Sequence, residues 1–173
     1  MLKRIKTATP RATGDFFAIV ASRYNARYVD AMVRAAMAEL KRAGAKNIQV
    51  VRVPGAFEIP TVAAELAHAA RPSSVALRRV DITHHVSLSA IICLGVIFQG
   101  QTSHAQHIGW GVTHALAQIQ LQHRIPVIHG VFTFEKEEHA RVRCLGRKHN
   151  RGREAALTAL TMARVMARLR LPA

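Results

Sequence analysis

The sequence predicts an α/β domain, a three-layer sandwich in which a four-stranded parallel sheet is covered by helices on both faces. Four short apolar runs alternate along the chain with stretches whose apolar residues recur at helical spacing. The runs read as apolar on both faces, as strands buried from two sides are. Polar candidates also fall just past the ends of the runs, where a parallel sheet with right-handed crossovers opens its ligand crevice.

The elements follow in order. Residues 1–14 are expected to form a flexible N-terminal segment, broken by Pro10 and Gly14, ahead of a single domain over 15–173. Phe16 to Ser22 is an apolar run of strand length. Val29, Met32, Val33, Ala36, Met37 and Leu40 then keep helical spacing up to Gly44. Ile48 to Val53 predicts the second strand, closed by Pro54-Gly55, and a helix over about 60–70 accepts Pro60 in its first turn. Residues 71–89 show no period and exceed the usual loop of about 2–6 residues, so they are expected to be an inserted surface loop.

The third strand is the apolar run 90–98. Its helix begins at His104 and carries Ile108, Val112, Ala115, Leu116 and Ile119 on one side, with Gly109 and Gly111 predicting close packing or a bend. Val127 to Phe132 predicts the fourth strand, and helical patterns over 135–145 and 151–170 complete the chain.

At 173 residues and half apolar, the chain is long enough to bury a full core as one domain. No apolar run reaches the roughly 18 residues of a membrane span, and the basic start lacks the apolar stretch of a secretory signal. Cys93 and Cys144 make no motif spacing, so a reducing cytoplasm is the expected setting. The formal charge of +15 attracts anions: phosphorylated substrates, acidic proteins or nucleic acid. Few aromatics interleave the basic clusters, and no zinc-finger or RNA-recognition signature occurs, so nucleic acid is not the favoured partner.

The chemistry gathers after the strands. Gly100-Gln101-Thr102-Ser103-His104 follows a buried-type strand and opens a helix, an arrangement whose backbone N–H groups and dipole attract a phosphate, or which is simply a polar helix cap with a surface histidine. His104 beside such an anion is a natural proton carrier near neutral pH. Pro54-Gly55-Ala56-Phe57-Glu58-Ile59-Pro60 can present backbone and Glu58 to a polyhydroxylated ligand, or Glu58 can simply favour a helix start. Tyr24 can stack on a planar heterocycle or pack as a half-buried core aromatic. Arg143, Arg147, Lys148 and Arg151 can meet phosphate or remain solvated charge. His104, His107 and His114 have no carboxylate or cysteine close by in sequence to complete a metal set.

Taken together and in order, these residues resemble the lumazine synthase family. The resemblance rests on Arg23-Tyr24-Asn25, on Val53 to Pro60, on Leu94 to Ile97 with Gly100 to His104, on Pro126 to Val131, and on Arg143 to Gly152 with Glu154-Ala155-Ala156. It implies a flavodoxin-like fold and a transferase of riboflavin biosynthesis. That enzyme condenses 5-amino-6-(ribitylamino)pyrimidinedione with 3,4-dihydroxy-2-butanone 4-phosphate, without cofactor or metal. The resemblance makes His104 the proton carrier and gives the phosphate to Gly100, Gln101, Thr102 and Arg143. It places Tyr24 against the pyrimidine, Ala56, Phe57 and Glu58 around the ribityl chain, and Val96–Ile97 backbone at the ring edge.

It further implies a homo-oligomer, a pentamer or a sixty-subunit icosahedral capsid, with riboflavin synthase as an additional partner. Arg143 is expected to reach an adjacent subunit's site. His129 stands where a neighbour-supplied, site-lining phenylalanine is usual, and Arg151 where lysine is. Tyr24 replaces the usual phenylalanine, while Gln99, Gln101 and Gln106 replace arginine, a carboxylate or alanine, and aspartate. These departures bear on affinity and rate rather than on fold. They leave two alternatives: a catalytically weak lumazine- or flavin-binding paralogue, and a polyanion-binding shell protein.

Overall fold

The computed structural model describes residues 11–12, 16–70, 88–146 and 149–170. Its strands are β1 (Phe16–Ser22), β2 (Asn47–Val53), β3 (Leu88–Phe98) and β4 (Val127–Phe134). The helices are α1 (Ala26–Arg42), α2 (Ile59–Ala69), α3 (His104–His123), α4 (Glu137–Ala140) and α5 (Arg151–Arg170). A π-helical segment, Arg141–Leu145, continues α4. The strands form one sheet in the order β2-β1-β3-β4, and each neighbouring pair is parallel. The strand order reverses between β1 and β3, which is where such a sheet opens a crevice at its carboxyl edge.

Alternation along the strands builds two cores. Ile92 and Leu94 of β3 point to one face, where Val29, Met32 and Leu40 of α1 meet Leu160 of α5. Ile91 and Cys93 point to the other, against Ile59 of α2 and Val112 and Leu116 of α3. Each fully buried Leu, Ile or Val contributes about 1.5–3 kcal/mol of apolar burial. This two-sided burial is why β1 and β3 read as unbroken apolar runs.

At one point the backbones themselves touch. A Cβ added at Gly152, near the start of α5, would lie 1.9 Å from the Met32 carbonyl oxygen of α1. Glycine there lets α5 lie directly on α1. Asn150 ends the preceding loop by accepting the Gly152 N–H on its Oδ1 at 2.9 Å and donating from Nδ2 to the Cys144 carbonyl at 2.5 Å.

Several expectations are corrected. β3 starts at Leu88, paired with Phe16, so residues 88–89 of the expected 71–89 loop are strand. The short Ser87-Leu88-Ser89 alternation hid that start. The rest of that loop lies outside the described residues, as do residues 1–10 and 13–14 of the expected N-terminal segment. β2 is not apolar on both faces: it is an edge strand, with Asn47 and Gln49 exposed. β4 runs on to Phe134, past its expected end at Phe132, so Thr133 lies within it, paired with Ile97. The 135–145 pattern splits into the single turn of α4 and the π-helical segment. α3 runs unbroken through Gly109 and Gly111, and a Cβ at Gly109 would come 3.1 Å from Thr133 Oγ1, so close packing explains that glycine. Among the described residues no helix is long and apolar enough to cross a membrane.

Candidate active site

A cleft of about 600 Å³ opens at the carboxyl edge of the sheet, at the β1–β3 reversal. Its first wall comes from the loops after β1 and β2, which are tied together. Arg23 N–H donates to the Val53 carbonyl at 2.8 Å, and Tyr24 N–H to the Pro54 carbonyl at 3.1 Å. The Tyr24 ring lies against Gly55, where an added Cβ would be 3.2 Å from Tyr24 Cδ2. Tyr24 is 71% exposed and Phe57 62%, so two largely exposed aromatic rings stand at the mouth. Exposed rings in a concave site favour a planar ligand.

Glu58 turns back into its own loop, where Oε2 accepts the Gly55 N–H at 2.8 Å. That bond fixes the Gly55–Glu58 turn and leaves Oε1 for a ligand hydroxyl. Glu58 also directly precedes α2 while it lines the cleft.

The floor is the end of β3. β1 pairs with β3 only as far as Ala21 and Leu94, so the β1-facing backbone of the next residues is free of sheet bonds. Asn25 takes one of those groups, donating from Nδ2 to the Val96 carbonyl at 2.8 Å. Val96 and Ile97 have buried side chains and can offer the cleft mainly backbone.

α3 forms the far wall through His104, His107 and Ile108. His107 Nε2 and Ser103 Oγ are 3.1 Å apart, which holds the second imidazole in place. The loop ahead of α3 is stapled by Gln99, whose Nε2 donates to the carbonyls of Gly100 (3.0 Å) and Thr102 (2.8 Å). Gly100, Gln101 and Thr102 are exposed beside the cleft, adjoining it through His104 rather than lining it.

The expected site residues thus divide. Tyr24, Ala56, Phe57, Glu58, Val96, Ile97 and His104 line one cleft. His129, Arg143 and Arg151 do not. His129 pairs with Cys93 well inside β4, and its Nε2 lies 2.9 Å from Thr113 Oγ1. Thr113 commits its own proton to the Gly109 carbonyl at 2.7 Å. His129 Nε2 therefore donates to the Thr113 oxygen. Desolvation draws its pKa below the ordinary histidine value. Arg151 sits over the Phe132 ring at 5.5 Å and pairs with Glu154 at 2.5 Å, while Arg143 is exposed on the π-helical segment. Arg147 and Lys148 lie outside the described residues.

Sequence reasoning passed over His107 as a lining residue, although a histidine three positions after His104 shares its helix face. It also missed the Asn25 tie to Val96, since no local pattern reports a bond between residues so far apart. Among the described residues no group of three or more His, Cys, Asp or Glu could hold a metal ion. Both cysteines are buried free thiols, and burial pushes the Cys144 thiol up to about 11.

A family model described as 6,7-dimethyl-8-ribityllumazine synthase matches residues 16–167. The 6,7-dimethyl-8-ribityllumazine synthase of Stenotrophomonas maltophilia is 38% identical over 155 residues, covering 88% of this chain and 90% of the relative. That of Xanthomonas campestris pv. campestris is 37% identical over 158 residues, covering 90% and 92%. That of Xanthomonas oryzae pv. oryzae is 37% identical over 152 residues, covering 87% and 88%.

Proposed function

The chain belongs to the 6,7-dimethyl-8-ribityllumazine synthase family, transferases of riboflavin biosynthesis, and from that premise we propose how its cleft carries the condensation. The observation that carries the reading is the convergence of Tyr24, Glu58 and His104 on a single crevice at the strand-order reversal.

The aminopyrimidine ring lies between the Tyr24 and Phe57 rings, its polar edge toward the backbone of Val96 and Ile97. The ribityl chain meets Ala56 and the free carboxylate oxygen of Glu58. The amine attacks the ketone of dihydroxybutanone phosphate, and water leaves as the imine forms. Loss of a proton then drives phosphate out, the resulting enol returns to a ketone, and attack of the ribityl-bearing nitrogen on that carbonyl closes the ring with loss of a second water. His104 shuttles those protons, a role worth about 10²- to 10⁴-fold. Holding two reactants in one crevice supplies the larger share, up to about 7–11 kcal/mol.

The phosphate rests beside Gly100, Gln101 and Thr102 and on Arg143, with Arg143, Arg151 and His129 supplied across a subunit junction. A homo-oligomer, read here as a pentamer, is supported by α3. That helix has no Asp, Glu, Lys or Arg, yet exposes Trp110 and Leu121. An uncharged exposed face of that kind suits a second copy of the chain. Buried free thiols support a cytoplasmic setting.

The test follows lumazine absorbance and phosphate release together from the two substrates; lumazine without stoichiometric phosphate, or neither product, rejects the reading. One observation favours the weaker paralogue: among the described residues no carboxylate orients the His104 ring, and Gln106 carries no charge. That version binds the lumazine tightly and releases no phosphate.

A further inference from the structure

Among the described residues, the charge of the helices is segregated by the sheet. The α2–α3 layer carries almost none: α3 lacks charged residues altogether, and α2 has Glu65 alone besides His68. The α1–α5 layer carries two basic stripes. Arg27, Arg34 and Lys41 are seven apart on α1, so they drift only about 40° around a helix of 3.6 residues per turn. Arg153, Arg164 and Arg168 fall within an arc of about 60° on α5.

The stripes meet at a second groove, about 580 Å³, where Arg34, Arg42 and Arg153 flank a floor of Ala31, Ala35 and Ala38. Glu39, 5% exposed, sits within it and accepts from Arg42 and from Arg153 Nε at 3.1 Å. Burial opposes its charge, but those guanidiniums outweigh burial and hold its carboxyl below the usual range. Glu39 thus fixes two arginines while cancelling one charge. Arg34, Lys41, Arg164 and Arg168 have no carboxylate partner among the described residues.

We infer that the α1–α5 face is a docking surface for the phosphate backbone of double-helical nucleic acid. Its exposed cations are mostly arginine, which grips phosphate bidentately. The exposed aromatics, Tyr24, Phe57 and Trp110, all belong to other elements, so base stacking is not part of the binding. A helix the length of α1 spans about 25 Å, enough to reach several phosphates across the groove-lining backbones. The binding is therefore sequence-independent, and it leaves the cleft free.

The experiment measures fluorescence anisotropy of the full chain with unrelated DNA and RNA duplexes of about 20 base pairs, across about 50–300 mM salt. Affinity is expected to fall with salt at a log–log slope of about 4–6, alike for unrelated sequences. The variant Arg34→Gln/Arg164→Gln/Arg168→Gln should weaken binding about tenfold or more and reduce the slope by about 3. A control removing equal charge outside α1 and α5, Arg71→Gln/Arg78→Gln/Arg79→Gln in the connection between α2 and β3, should change affinity much less. Both variants should retain lumazine formation, which reports folding. Equal weakening by the two variants would reduce the effect to net charge and overturn the proposal. So would the absence of duplex binding near 100 mM salt, or displacement by polyglutamate at matched charge, which would assign the face to acidic protein.

Discussion

Asn25 reaches across the crevice to Val96: its side-chain N–H donates to that carbonyl at 2.8 Å while its own backbone sits at φ 56°. One residue thus makes the left-handed turn after β1 and joins the ends of two strands. Replacing Asn25 by Ala leaves a partly buried carbonyl unpaired and keeps a Cβ in a left-handed conformation that alanine tolerates less well than asparagine, costing about 2–4 kcal/mol together. Asn25→Gly relieves the backbone part alone and should cost about 1–2 kcal/mol. Urea unfolding of the pair separates the two; equal losses would remove the conformational contribution.

Gly152→Ala tests the helix contact. Alanine is the better helix former by about 1 kcal/mol, so propensity alone predicts stabilisation. The contact with the Met32 carbonyl is backbone on backbone, and neither side can swing away. The expected outcome is a net loss of about 3 kcal/mol, near the upper end of overpacking costs, seen as a lower denaturation midpoint at unchanged slope. An unchanged midpoint would mean that α5 slides freely on α1.

Turnover tests the cleft. His104→Gln should lower kcat by about 10²- to 10⁴-fold with little change in substrate affinity. Arg143→Ala should raise KM for the phosphate-bearing substrate, and Arg143→Lys should restore only part of it, because the ammonium lacks the fork. Normal kinetics in the alanine variant would take Arg143 out of the site.

Acid should weaken the fold in two separate windows. Desolvation depresses the folded-state pKa of His129 below the unfolded value of 6.5. Its contribution is complete above that pH and is lost as pH falls through the folded value. Glu39 is likewise depressed, from 4.5, so its share is lost only at lower pH still. His129→Gln keeps a donor for Thr113 and cannot titrate. It should flatten the stability curve just below pH 6.5 while leaving the lower limb; an unchanged curve would detach His129 from it.

Thiol chemistry provides an independent reporter. Burial raises both thiols, Cys144 to about 11, so neither should label at mildly alkaline pH until the chain opens. Rapid labelling of the folded chain would contradict the burial.

The fold was readable because β1 and β3 are buried on both sides and therefore cannot hide polar residues, while Val29 to Leu40 keep a single helix period. The rim was readable for a related reason: Tyr24, Glu58 and His104 each follow a strand closely, so parallel topology brings them together. β2 was misjudged in character because its edge position depends on strand order, which local pattern does not encode. The same holds for Asn25 and Val96, whose partnership depends on tertiary folding. The distribution of charge was equally invisible, since α1 and α5 lie far apart in sequence and share a surface only once packed.

The division of β3 into residues facing opposite cores has an evolutionary reading. Its alternate positions answer to different neighbours, so the sheet acts as a partition between two independently mutable halves. Exposed positions on α1 and α5 can drift toward cations, or away from them, without disturbing the packing beneath α2 and α3. A lineage can in this way redress one side of the molecule while its chemistry stands still.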